Sequence, residues 1–117
     1  MIDFGRVRNY YIACGRTDMR RQIDGLVYIV REKFRREPDE TSLFLFCGRK
    51  TDRVKALYWD GTGYILLYKR LSEKRFQWPR SEREVVKLTQ QEFRWLMEGL
   101  SVCQRKAFVK GEPPDVY

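Results

Sequence analysis

The chain has 117 residues, 43% of them hydrophobic and 34% charged, which is apolar matter for one packed core and too much for a disordered polymer. Its 24 Lys and Arg against 16 Asp and Glu leave a net charge of +8, so polyanions are the natural partners. No histidine is present, which excludes His-based acid, base or nucleophile relays and most zinc sites; neither a cofactor nor a metal is expected.

The opening stretch, MIDFGRVRNYYIACG, holds an acidic residue at Asp3 and no long apolar run, and no segment approaches about 18 uncharged apolar residues. A cytoplasmic protein with no membrane partner is therefore expected. Cys14, Cys47 and Cys103 are odd in number, far apart and without a C-x-x-C pair, which reads as reduced thiols. Val7 to Ala13 predicts a first strand ending near Gly15. From Thr17 to Glu37, Met19, Ile23, Leu26, Val27, Val30 and Phe34 recur at helical spacing, with Arg20, Arg21, Asp24, Arg31 and Arg35 facing elsewhere. Thr17 or Asp24 can cap this helix, the second choice leaving Thr17 to Arg21 as a loop, and Pro38 disfavours helical geometry at Glu37.

Leu43 to Leu71 predicts three antiparallel strands, with turns at Gly48 to Asp52 and Asp60 to Gly63. If Gly61 and Thr62 form a two-residue turn and Gly48 pairs near Arg53, one face holds Leu43, Leu45, Cys47, Val54, Ala56, Tyr58, Ile65 and Leu67. The other face then carries Phe44, Phe46, Lys55, Leu57, Trp59, Tyr64, Leu66 and Tyr68, too aromatic to be bare surface, so something covers it. Phe76 to Pro79 and Val85 to Leu88 are further short strand candidates. Thr89 and Glu92 form a capping box for a helix from Thr89 to Gly99, with Leu88 and Phe93 as a hydrophobic staple and Phe93, Leu96, Met97 and Leu100 as its buried stripe. The tail from about residue 101 is basic, then proline-bearing, and is expected to be partly mobile. One α+β domain spanning 1–117 follows: a mainly antiparallel sheet of about four to six strands with two helices packed on it.

Thr17-Asp18-Met19-Arg20-Arg21, Asp24-Gly25-Leu26, Gly48-Arg49-Lys50, the block Thr51 to Lys55, Trp59-Asp60-Gly61 with Gly63, Tyr68-Lys69-Arg70-Leu71, Phe76 with Trp78-Pro79, and Leu96, Glu98 and Gly99 form one series along the chain. By these blocks, from about Ala13 to Leu100, the sequence resembles the small TnpB-type accessory protein of bacterial insertion sequences of the IS-sixty-six group. Members usually carry a small residue where this chain has Gln22. The resemblance implies a non-catalytic part in transposition beside a separate transposase.

Three chemistries compete. Nucleic acid, DNA in the first place, would be bound by a basic rim of Arg49, Lys50 and Arg53 with Lys69, Arg70, Lys74 and Arg75 at the next connection. Trp59, Tyr64, Tyr68 and Trp78 are candidates for base stacking, against an ordinary core role that Trp59 and Tyr64 favour. Arg20 and Arg21 are anion binders or partners of Asp18 or Asp24. The alternative is a protein-protein scaffold that docks on the transposase without direct DNA readout. A metal enzyme would need Asp18, Asp24, Asp52 and Asp60, each of which has a turn or helix-start explanation. Strand state, site preference and oligomeric state are not legible in the residues.

Overall fold

The computed structural model describes residues 4–81 and 85–99. Strands β1 (Asn9–Ala13), β2 (Ser42–Cys47), β3 (Arg53–Trp59), β4 (Tyr64–Arg70) and β5 (Val85–Leu88) form one sheet in the order β4-β3-β2-β1-β5. All neighbours are antiparallel except β1 and β2, which run parallel. Helix α1 (Ile23–Ile29), continued by a π-helical turn Val30–Phe34, lies in the crossover between that parallel pair. Helix α2 (Gln90–Met97) follows β5. This is the expected α+β arrangement of sheet and two helices.

The register agrees with the turn chemistry. Leu43 pairs with Tyr58 and Cys47 with Val54, while Tyr58 pairs with Ile65 and Trp59 with Tyr64. Asp60 N–H donates to Gly63 O at 3.0 Å, and the Asp60 carboxylate accepts from the Thr62 and Gly63 amides, both at 2.9 Å. Gly61 at φ 99° supplies the left-handed residue that this turn requires. Leu43, Leu45, Cys47, Val54, Ala56 and Tyr58 consequently share one core with Tyr10, Ile12, Phe76, Trp78, Leu88 and Leu96. Phe44, Phe46 and Leu57 share another with Tyr11, Leu26, Val27, Val30 and Phe34. The two helices therefore cover opposite faces. On the α1 side Phe34 meets Phe44 edge-on at 5.2 Å; on the α2 side Tyr10 stacks on Phe93 at 4.5 Å. Burying each such ring contributes roughly 2–3 kcal/mol.

Three local expectations change. The helix begins at Ile23, not Thr17, so the alternative that leaves Thr17 to Arg21 as a loop is the one found: Thr17 N–H donates to Cys47 O at 2.8 Å, and Lys55 Nζ donates to Met19 O at 2.8 Å and Arg21 O at 2.9 Å. The buried ammonium thus holds two carbonyls of this segment in the loop conformation. Met19 accordingly leaves the helical stripe, and neither Thr17 nor Asp24 is the cap; Gln22 holds that position without a side-chain bond. Helicity ends at Phe34, with Arg35 left-handed at φ 56°, before Pro38 acts. Phe76 to Pro79 forms no strand and joins no ladder: Phe76 N–H bonds Thr51 O and Pro79 O accepts from Gly15 singly. The capping box of α2 forms in full: Thr89 Oγ accepts from Glu92 N–H at 3.0 Å and Glu92 Oε1 from Thr89 N–H at 2.9 Å. Gly99 is left-handed at φ 84°. Leu100 and the tail expected to be mobile lie outside the described residues.

Candidate nucleic-acid interface

Because β1 and β2 are parallel, the loop leaving β1 and the turn leaving β2 sit side by side at one end of the sheet. Such carboxyl ends of parallel strands are where open sheets present binding crevices. The β2–β3 turn closes through Thr51 N–H to Gly48 O at 3.1 Å, with Thr51 left-handed at φ 57°. A third segment, 71–80, is stitched along this turn by Leu71 N–H to Asp52 O at 2.8 Å and Phe76 N–H to Thr51 O at 2.6 Å. The buried Trp78 fastens its far end, its indole N–H donating to Ala13 O at 2.9 Å. Gly15 N–H donates to Pro79 O at 2.7 Å beside it.

Where the three segments meet, two adjoining hollows share Arg16, Gly48, Arg49 and Lys50. One, of about 530 Å³, is completed by Thr51, Arg75, Pro79 and Arg80, with Trp78 in its wall. The other, of about 710 Å³, is completed by Thr17, Asp18, Met19, Arg20 and Arg53. Arg16, Arg20, Arg49, Lys50, Arg53, Arg75 and Arg80 thus face this concavity against one carboxylate, Asp18. Gly48 permits the close fit: a Cβ on it would stand 2.6 Å from Met19 Cγ.

Some of these cations are already engaged. Arg20 grips Asp18, its Nη2 at 2.8 Å and Nε at 3.0 Å, and this guanidinium holds the carboxyl well below the ordinary Asp range. Arg53 Nε lies 3.1 Å from Asp52; against the upward push of burial, that bond keeps Asp52 lowered. Arg75 donates to Lys50 O, bracing the turn without neutralising anything. Among the described residues no acidic partner meets Arg49, Lys50 or Arg80.

The remaining sequence candidates divide. Arg70 is the cross-strand partner of Arg53 and extends the basic surface along the sheet end, and Arg21 is exposed next to Arg20. Lys69 points to the other face, donating to Met97 O at 2.9 Å, and Lys74 lies beside Gly99; both therefore attend the C-terminal end of α2, where cations suit the free carbonyls. Trp78 is 6% exposed and built into the core, so no base can stack on it while this packing lasts. Trp59 and Tyr64 meet edge-on at 4.8 Å, leaving Tyr68, 54% exposed, as the open ring. Arg16 and Arg80 were missing from the sequence candidates. Their signal was indirect: Arg16 joins the site only if β1 is parallel to β2, and Arg80 only if Trp-Pro anchors to β1.

Asp18 and Asp52 are held by arginines, Asp60 by its own turn, and Asp24 stands in the first turn of α1. Among the described residues no helix is long and apolar enough to cross a membrane. The family model described as IS66 Orf2 like protein matches residues 8–107. The chain belongs to the IS66 Orf2-like family. This is a family of insertion-sequence accessory proteins, not a known catalytic one. Two relatives from Sinorhizobium fredii (strain NGR234), the uncharacterized proteins y4hO and y4jC, are similar at 33% and 32% identity over 100 residues. Those alignments cover 86% of this chain and 87% and 86% of the relatives. No solved structure matches. Thr17 to Arg20 and Gly48 to Lys50, distant in sequence, both line the second hollow.

Proposed function

We propose that this protein assists transposition in the bacterial cytoplasm by binding nucleic acid, element DNA in the first place, in the paired basic hollows around Gly48 to Thr51, without performing catalysis itself. The observation that carries this reading is the convergence of Arg16, Arg20, Arg49, Lys50, Arg53, Arg75 and Arg80 on one concave surface. Gathering like charges costs folding free energy, and a phosphate chain offsets that cost. Arg49, Lys50 and Arg80, without described acid partners, supply the attraction; the braced Arg20, Arg53 and Arg75 define the shape. Lys69, Lys74 and Trp78 fall outside the contact surface, whereas Arg70, Arg21 and the exposed Tyr68 adjoin it.

The test is a binding titration against element-end and random DNA at two salt concentrations. Replacing Arg49, Lys50 and Arg80 together by alanine should weaken binding at least tenfold and lower the log-log salt slope by roughly 2 to 3. An unchanged slope in a folded variant removes this surface as the site. A second reading, docking on the transposase, is favoured by an apolar hollow of about 420 Å³ between the sheet and α2, floored by Leu45, Ala56, Leu67 and Phe93 and edged by Lys69 and Arg94. Transposase binding that ignores salt and survives the triple substitution would support that reading over direct DNA contact.

A further inference from the structure

Strand β4 is an edge of the sheet, and among the described residues nothing pairs with its outer side. Its ladder with β3 is regular over all seven residues, with no bulge. Leu71 N–H donates to Asp52 O and Asp60 N–H to Gly63 O, which fixes the alternation between them. Backbone groups of Ile65, Leu67 and Lys69 point at β3; those of Tyr64, Leu66, Tyr68 and Arg70 point outward. Edge strands are ordinarily kept apart by shortness, bulges or charge. Here the other edge, β5, has only four residues, whereas β4 offers Tyr64-Ile65-Leu66-Leu67-Tyr68 before its first charge.

Apolar surface collects at this edge. Ile65, Leu66 and Leu67 are only half-buried, while their β3 partners Tyr58, Leu57 and Ala56 are buried; Tyr64 and its partner Trp59 are both half-buried. Tyr28 and Tyr68 are the most exposed large apolar side chains among the described residues, at 61% and 54%. Tyr64 and Leu66 pack with Ile23 and Ile29 around the core that α1 covers, so this helix overlooks β4.

We propose that β4 pairs with β4 of a second copy of this chain, antiparallel about a two-fold axis at Leu67, joining both sheets into one. The strand is complementary to itself in that register. Tyr64 meets the partner's Arg70, Ile65 the partner's Lys69, Leu66 the partner's Tyr68, and Leu67 the partner's Leu67. Every outward backbone group between Tyr64 and Arg70 then gains a partner, and each cation faces an aromatic or aliphatic side chain rather than its own copy. Shifting the register by two residues either way strands a pair of these groups outside the strand. The basic hollows centre on the β2–β3 turn and reach the joint only at their Arg70 and Tyr68 margin, so the dimer carries two of them open, and the pairing stands whether or not they bind nucleic acid.

The test uses the full chain in light scattering over a concentration series, where a dimer is expected. Tyr68→Pro removes an N–H that points outward, so it costs the monomer no ladder bond and should give a folded monomer. Leu67→Cys in a Cys103→Ser background should close a symmetric disulfide on mild oxidation, because unbonded pairs on facing strands stand about 4.5 Å apart at Cα. Ser72→Cys, beyond the joint, should crosslink far more slowly. A wild type that stays monomeric, whatever covers the edge, overturns the proposal, as does a dimer that Leu67→Cys fails to crosslink or that a folded Tyr68→Pro leaves intact. Should Tyr68→Pro fail to fold, the disulfide decides.

Discussion

Replacing Lys55 by methionine should loosen the wall of the basic cleft from inside the fold. Lys55 is 7% exposed on the α1 face of β3, across from Phe46 and Tyr68, and its ammonium holds the Met19 and Arg21 carbonyls. Hydrogen bonds to a charged donor contribute about 1.5–3 kcal/mol each, and a carbonyl left buried without a partner costs about 1–3 kcal/mol. Methionine keeps the apolar stem and relieves desolvation of the ammonium, and the freed loop regains water at part of its carbonyls. Two lost bonds with those offsets leave about 2–4 kcal/mol of destabilisation, a large share of the roughly 5–15 kcal/mol that holds a domain together. Urea unfolding of both proteins gives the difference directly, and amide exchange over residues 17–22 locates it. Arg16 and Arg20 ride on this loop, so affinity for nucleic acid should fall with no cation removed from the cleft. Stability within about 0.5 kcal/mol of wild type, with unchanged exchange in the loop, would refute the argument that Lys55 keeps Thr17 to Gln22 out of the helix.

Gly48→Ala places a methyl 2.6 Å from Met19 Cγ, so Met19 must move; a loss of about 1–3 kcal/mol in thermal or urea unfolding, with weaker DNA binding, is expected. Thr89→Ala should cost about 1 kcal/mol by removing one arm of the capping box, whereas Gln22→Ser should gain a few tenths to 1 kcal/mol because α1 lacks a side-chain cap; circular dichroism melts measure both. Burial pushes the Cys47 thiol up to about 12 from an ordinary 9.0, so it should resist thiol reagents at pH 8 in the native state. Because that folded value is raised, the stability linked to it is whole below pH 9 and is lost towards pH 12. The advantage of wild type over Cys47→Ala should therefore narrow across that interval in urea titrations.

Local rules carried the sheet a long way. Asp60 to Gly63 and Gly48 to Arg53 specify their turns through glycine and aspartate, and once both registers are set, alternation assigns every side chain of β2, β3 and β4 to a face. Thr89 and Glu92 specify the start of α2 in the same local manner. What local rules cannot see is which way β1 runs, since a strand pattern has no direction in it. The parallel pairing of β1 with β2 is a tertiary outcome, and it is what brings Arg16 and Arg80 to Arg49 and Lys50. The misplaced helix start has a similar origin. Met19 fits the helical period as well as Ile23 does, but Lys55, a cation on an apolar face, needs acceptors and takes them from that loop. A lysine on the same face as Phe44, Phe46 and Leu57 was the available clue.

The distribution of cations argues for selection of a surface rather than of a net charge. Cations outside the cleft have structural work: Lys55 holds a loop, Lys69 meets the end of α2, Arg31 pairs with Glu37 at 2.8 Å, and Arg36 sits 4.6 Å over the Tyr11 ring. Each has a neutral or acidic partner that accounts for its position. Arg49, Lys50 and Arg80 have none among the described residues, yet they stand together, where mutual repulsion is greatest. Folding alone would spread such groups over the surface, because separation beyond about 8–10 Å removes most of the repulsion at ordinary salt. Instead, Trp78, Gly48 and the Arg75 bond to Lys50 O fix the three segments that carry them. On the proposed nucleic-acid reading, rigid support under a repulsive cluster is preorganisation, since the binding partner need not order the loops or assemble the charges itself.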